Sequence, residues 1–223
     1  MRIALLGGTG DIGEGLALRW AYHTDHEVLV GSRDPERARA KAEEYETELS
    51  SRGVDRTVNG FDNRMAAERA TVVVLAVPPY HVADTVETVA DRLEEGDVLV
   101  SPATGVRRDD DGDFHYHPPS AGSVTRLVVD AAPEGVSVVG AFHNLAAGRL
   151  ADLDADLGID TVVFGDDPDA TDVVTLLARG IEGLRPVDGG GLASAPEVEA
   201  LTPLLVTVAA NNEGMNDLGV RFQ

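Results

Sequence analysis

Apolar residues recur along this chain as short continuous runs and then at helical spacing, in alternation. The run Ile3–Leu6 ends in glycine, and after it Ile12, Leu16 and Trp20 fall four apart. That pattern predicts a strand and then a helix over Asp11–Tyr22, with Gly15 allowing the helix to pack closely on the sheet. Val28–Val30 reads as a second strand. Asp34 then caps a helix that Pro35 starts, running to Ser51, charged on most faces and predicted to lie on the surface. A short strand at Val54–Asn59 and a helix near Asp62–Arg69 follow. The apolar run Thr71–Val77 has the character of a parallel strand covered on both faces.

Pro78 and Pro79 stop that strand, Tyr80–Leu93 reads as a helix, and Asp97–Ser101 as a strand halted by Pro102. Residues 105–119 read as a solvated loop. A helix over Ser120–Ala132 leads into strand Val136–Ala141, which runs directly into Phe142–Ala147. Strand Thr161–Gly165, helix Pro168–Gly180 and strand Leu184–Val187 come next, then a flexible glycine joint at Asp188–Gly191. Ser194–Glu197 has a capping-box pattern. Val198, Leu201, Leu205 and Val208 line one face of a final helix that Pro203 should kink. This alternation predicts an α/β fold of Rossmann type, doubly wound around a mainly parallel sheet. The expected division is a dinucleotide-binding domain over residues 1–145 and a smaller C-terminal α/β part over 146–223.

The glycine turn carries the first chemistry. Gly8, Gly10 and Gly13 form G-x-G-x-x-G between a strand and a helix, where a diphosphate can approach bare amides at a helix N-terminus. The second strand then ends Gly31-Ser32-Arg33, with Arg37 a turn later, in place of the acid that binds an NAD ribose. Two guanidinium groups and a hydroxyl suit a 2′-phosphate, so the expected nucleotide is NADP(H). Val77, Pro78 and His81, with the stretch Ser101–Thr104, stand at strand ends where such sheets bind ligands.

Charge narrows the classes. The chain has 39 acidic and 18 basic residues, a formal net charge of -21, and Lys41 is its one lysine. Acid is spread along the chain, which argues against nucleic acid and resembles the proteins of salt-loving cells. Without cysteine there are no disulfides and no thiolate metal sites or nucleophiles. No signal peptide pattern precedes the first strand and no apolar run reaches membrane-spanning length, so a soluble, cytoplasmic protein is expected. His115, Tyr116 and His117 beside acids could be taken for a metal site, but no metal is expected there.

A nicotinamide cofactor makes hydride transfer the default reaction. Tyr–Lys proton relays are excluded by the place of Lys41. His143 at a strand end is the best-placed histidine and His81 the second. Absence of a convincing acid/base set points instead to exchange between two redox cofactors, for which the protein stacks two rings and excludes water.

The order of residues supports a specific resemblance. RIALLGGTGDIGEG over 2–15, VGSR over 30–33, VSP over 100–102, AFHNLAA over 141–147, GLRPVD over 183–188 and EALTPLL over 199–205 are its motifs. With Gly214-Met215 and Leu218-Gly219, they resemble the archaeal NADP oxidoreductases that use the deazaflavin coenzyme F420. The resemblance covers essentially the whole chain in register. It implies reversible hydride exchange between C4 of NADPH and C5 of oxidised F420, in a homo-oligomer, with a dimer favoured. It implies that Thr9, Gly10, Asp11 and Ile12 hold the diphosphate and Ser32, Arg33 and Arg37 the 2′-phosphate. Leu145 would set the ring spacing, and His143, Asn144 and Thr202 would border the deazaflavin. Where family members can carry arginine and serine, this chain has Pro196 and Ala200, so Arg185 or Arg107 would be the alternative anchors. Two rival readings remain: a flavin- or ferric-linked NADPH reductase, and a regulator that senses NADPH without turnover.

Overall fold

A computed structural model describes residues 1–223. The first half holds β1 (Arg2–Leu6), α1 (Asp11–His23), β2 (Glu27–Ser32), α2 (Pro35–Ser51), β3 (Val58–Asp62) and α3 (Asn63–Glu68). It continues with β4 (Val72–Leu75), α4 (Val82–Val89) and β5 (Val98–Ser101). A small hairpin, β6 (Val106–Arg108) and β7 (Phe114–Tyr116), precedes α5 (Val124–Ala131) and β8 (Ser137–Gly140). The remainder is α6 (Ala147–Ala151), β9 (Ile159–Gly165), α7 (Pro168–Arg179), β10 (Leu184–Asp188), α8 (Ala195–Glu199) and α9 (Leu201–Asn211).

Eight strands form one sheet in the order β3-β2-β1-β4-β5-β8-β9-β10. The order 3-2-1-4-5 is that of a Rossmann half, with its switch point between β1 and β4. Successive side chains on the inner strands enter two different cores. Ile3 and Leu5 join one, with Val72 and Val74; Ala4 and Leu6 join the other, with Val73 and Leu75. Helices therefore cover both faces, which explains why β1 and β4 are apolar throughout.

The mainly parallel sheet is present, with one reversal: β9 runs antiparallel to β8, then pairs parallel with β10. Other expectations shift. The third strand begins at Val58, not Val54, and its register rests on Gly60, where a Cβ would lie 2.4 Å from the Ala38 carbonyl carbon of α2. Helix α5 starts four residues later than expected, where the Ser123 hydroxyl accepts the Arg126 amide at 3.0 Å. Gly15 packs against Leu150 of α6 rather than the sheet. The loop over 105–119 is folded: its acidic run makes the turn of the β6–β7 hairpin, with Asp109 accepting the Asp111 and Asp113 amides. The glycine joint is likewise ordered, since Gly189 donates to Val163 and Gly165 to Gly190. Nor is Ser194 a cap. A 3-10 turn over Leu192–Ser194 starts the helix earlier, and the Ser194 hydroxyl donates to the Gly189 carbonyl at 2.6 Å.

The C-terminal helix breaks at Ala200, between α8 and α9. Pro203 brings no N–H for the Glu199 carbonyl, and the break falls within the turn before it, not between Thr202 and Leu204 as expected. Expectation fails on one further point. The stretch Leu192–Asn211 is 20 residues with mean hydropathy 1.3, long and apolar enough by length and composition to cross a membrane. It is broken, however, and carries a fully buried Glu199. That carboxylate accepts the Val124 and Thr125 amides, the Thr125 hydroxyl and the Tyr116 hydroxyl at 2.8–3.0 Å. Such bonds tie α8 to α5 and to the hairpin.

Candidate active site

The glycine turn is built so that no side chain fits at two points. Gly7 has φ of +79°, and a Cβ on Gly13 would lie 2.5 Å from the Gly8 Cα. Helix α1 thus starts directly against the turn. Tyr45 of α2 donates its hydroxyl to the Gly8 carbonyl at 2.8 Å and fixes the turn from behind. The stripe Ala38, Ala42, Tyr45, Leu49 is the buried face of a helix expected to be charged on most faces. Sequence reading missed Tyr45, although that spacing signals it. The amides of Thr9, Asp11, Ile12 and Gly13 have no acceptor in the protein, and Gly10 caps α1 without a side-chain bond. Four free N–H groups at a helix N-terminus are the donor set a diphosphate needs.

Beside this turn lies a cavity of about 400 Å³ lined by Thr9, Gly10, Ser32, Arg33, Arg37, Asn63, Val77, Pro78 and His81, among others. Arg33 and Arg37 come from the end of β2 and the first turn of α2. Their guanidinium groups pair with no acid, whereas Arg39, Arg52, Arg56 and Arg64 each do. Asp34 is occupied as the cap of α2, accepting the Glu36 amide at 3.0 Å. Two unpaired guanidinium groups in so acidic a chain fit a doubly charged phosphate. Asn63, Asp84, Thr85 and Thr88 also line the cavity. Nothing in their sequence spacing marks them, because α3 and α4 are placed by the crossover and not by a motif.

On the other side of the turn, Ile12 opens onto a second cavity of about 570 Å³. It is lined by Asn144, Leu145, Ala146, Ala147, Thr202, Leu205, Val206, Ala209 and the C-terminal residues Asn216, Asp217 and Leu218. The loop after β8 bends at Phe142, whose φ is +68°, and Trp20 packs edge-on against that ring at 5.7 Å. Asn144 is held by its Nδ2, which donates to the Asp160 carbonyl at 2.7 Å. Thr202 donates to the His143 carbonyl at 2.7 Å, and Thr104 meets the same hydroxyl at 3.3 Å. Three groups named from the sequence, Asn144, Leu145 and Thr202, thus share one cavity with Ile12.

His143 does not share it. Its ring is buried, stacked on Phe164 at 5.5 Å, with Nε2 3.5 Å from the Thr125 hydroxyl and Nδ1 without a partner. Only its backbone supports the cavity, through Thr202. Burial drives its pKa from 6.5 down to about 3, so the ring is neutral and is no proton donor at neutral pH. The unfolded chain therefore binds a proton between those values that the folded chain refuses, and stability falls as pH is lowered through this window. The stability of the native chain, read by urea titration, should fall by about 1 kcal/mol more from pH 6 to pH 5 than that of His143→Gln. Parallel slopes would contradict the buried neutral ring.

Two proposed anchors are corrected. Arg185 is committed to Asp160, with Nε and Nη2 donating at 2.8 and 2.6 Å, so it is not free for an anion. Arg107 sits exposed on the hairpin and lines neither cavity. Pro196 lines a separate groove with Ser123 and Arg126, and Ala200 stands at the helix break. His115 pairs with Asp109 at 2.7 Å across the hairpin turn, and no trio of metal-binding side chains gathers there.

A glycine turn with free amides, a cavity lined by two unpaired guanidinium groups and a second, mostly apolar cavity fit an NADP-binding oxidoreductase on a Rossmann sheet. Residues 2–105 match the family described as NADP oxidoreductase, coenzyme F420-dependent. The chain is 37% identical to the F420-dependent NADP reductase of Methanocaldococcus jannaschii, over 92% of this chain and 91% of that one. It is 36% identical to that of Methanothermobacter marburgensis, over 100% and 98%. The chain belongs to the coenzyme F420-dependent NADP oxidoreductase family. In fold it resembles a crystal structure from Arthrobacter sp. FB24, with TM-score 0.77 and 24% identity over 99% of this chain and 98% of that one.

Proposed function

We propose that this chain catalyses reversible hydride transfer between NADPH and the deazaflavin coenzyme F420. The observation that carries the reading is the pair of cavities meeting at the glycine turn, with Thr9 and Gly10 on one and Ile12 on the other. The amides of Thr9, Asp11, Ile12 and Gly13 would hold the diphosphate, and Ser32, Arg33 and Arg37 the 2′-phosphate. When bound, the two rings supply the whole redox chemistry, a hydride passing from C4 of one to C5 of the other. Leu145 would set their spacing, Asn144 and Thr202 would border the deazaflavin, and α9 with Leu205 and Ala209 would exclude water. The separate proton that balances the hydride on a deazaflavin ring nitrogen would come from solvent, so no side-chain acid is needed, which agrees with a buried, neutral His143 and a Lys41 that pairs with Glu14 and Glu44.

Purified protein mixed with NADPH and oxidised deazaflavin should bleach the deazaflavin absorbance. Reduction of flavin or ferric ion with the deazaflavin untouched would favour the rival reductase. Tight NADPH binding with no acceptor reduced would favour a sensor.

The chain is further read as a cytoplasmic dimer from a salt-loving cell. Support for self-association is the outer face of α9, where Leu204 is 57% exposed beside exposed Val208 and the nearby Met215. Sedimentation should give twice the chain mass, and Leu204→Asp should halve it; a native monomer would contradict the dimer. Support for salt adaptation is the net charge of -21, whose self-repulsion salt screens by shortening the Debye length from about 10 Å at 0.1 M to about 3 Å at 1 M. The melting temperature should rise by several degrees between those concentrations of sodium chloride. An unchanged value would contradict the adaptation.

A further inference from the structure

The last residues of the chain form a wall of the ring cavity and are tied down by one buried group. After α9 the backbone turns at Gly214, whose φ is +82°, and Asn216, Asp217 and Leu218 cross the cavity. The chain then docks on β9. A Cβ on Gly219 would lie 2.4 Å from the Ile159 Cγ2, so only glycine lets the backbone come so close. Asp160, 1% exposed, holds the residues beyond Gly219. Its amide donates to the Val220 carbonyl at 2.7 Å, and its carboxylate accepts the Phe222 amide at 2.6 Å. Arg185 completes the clamp, donating twice to that carboxylate and once to the Phe222 carbonyl. The Asp160 carbonyl meanwhile accepts the Asn144 amide nitrogen. One residue therefore fixes both the inner wall of the cavity and the strap that crosses it.

We infer that Asp160, braced by Arg185, is a positioning residue that holds the C-terminal strap, residues 212–218, against the ring cavity and so sets the affinity for the deazaflavin. The inference rests on the reading that this cavity takes the deazaflavin ring. The strap lines none of the cavity that holds Ser32, Arg33 and Arg37, so the part of NADPH bound there lies outside its reach. Asp217 is the one acidic side chain of the strap segment that lines the ring cavity. Held in place, it offers an acceptor to N–H and O–H donors on a bound ring; released, it leaves the apolar wall of α9 open to water.

Asp160→Asn removes one charge from the clamp, and Gly219→Ala lifts the strap from β9 without touching the clamp. Each should raise the deazaflavin KM at least tenfold while the NADPH KM and kcat stay within about twofold. Arg185→Lys, which keeps a cation, should recover most of what Arg185→Ala loses. Hydrogen exchange read by mass spectrometry should show the amides of residues 214–222 exchanging faster in Asp160→Asn and Gly219→Ala, with α1 and β1 unchanged. Unchanged deazaflavin KM in both variants, or equal rises in both KM values, would overturn the inference. Failure of the underlying reading shows elsewhere, in the unsubstituted protein, which would bind NADPH and leave the deazaflavin oxidised.

Discussion

Arg33→Ala should weaken NADPH binding by roughly 1.5–3 kcal/mol, about 10- to 150-fold, and leave NADH nearly untouched. The cause is local. Arg33 and Arg37 line the cavity beside the glycine turn, and neither guanidinium has an acid to neutralise it, since Asp34 is spent on capping α2. On the proposed reading the 2′-phosphate would supply the missing charge, and NADH lacks it. Removing Arg37 as well should add a smaller loss, because the two groups share one phosphate and their contributions are not additive. Fluorescence titration of both nucleotides at fixed salt reads the difference. Equal weakening of NADPH and NADH would mean that the pair serves the fold and not the phosphate.

The second large effect comes from a residue that lines neither cavity. Arg19 of α1 is buried, and its guanidinium donates to the carbonyls of Leu150, Arg149, Asp152 and Ala155 at 2.5–3.2 Å. Burial pulls its pKa below the usual value, with the Asp152 charge opposing. This one side chain satisfies two carbonyls of α6, the helix that follows Leu145 and Ala146, and two of the loop after it. Arg19→Ala leaves several carbonyls without donors and a gap beside Gly15, at about 1–3 kcal/mol for each unsatisfied group. A total on the order of 4 kcal/mol is a large share of the roughly 5–15 kcal/mol that holds a typical domain. Urea midpoints should fall sharply. Arg19→Lys should recover only part, since one ammonium cannot span carbonyls that a planar fork reaches together. A loss below about 1 kcal/mol would refute the role.

How much of the fold and site is legible in residues alone depends on where each signal resides. The Rossmann half is legible because β1 and β4 are covered on both faces and so are apolar without a break. The nucleotide is legible because free amides need glycine and a 2′-phosphate needs arginine, and both stand at fixed offsets from a strand. The Pro203 break is legible for the same reason, as a backbone rule tied to one residue type. Tyr45, Arg19 and Asp160 were not legible as parts of a site. Each acts on backbone groups more than thirty positions away, at Gly8, Leu150 and Phe222, and a carbonyl leaves no mark in the sequence. His143 shows the converse. Its position at a strand end favoured chemistry, yet a single backbone turn at Phe142 sends the ring inward and leaves its carbonyl to serve the cavity. The antiparallel β9 escaped for a topological reason: a strand entering the sheet from either direction carries the same apolar run.

The central claim is that the glycine turn joins two ring sites so that one ring reduces the other directly. Carbon-bound hydrogen at C5 of the deazaflavin does not exchange with water, so the transferred atom can be followed. NADPH carrying two deuterium atoms at C4, mixed with oxidised coenzyme F420 and the protein in ordinary water, should give reduced deazaflavin with one deuterium, seen by mass spectrometry. Reduced deazaflavin carrying only solvent hydrogen, or NADPH left unoxidised, would contradict the account.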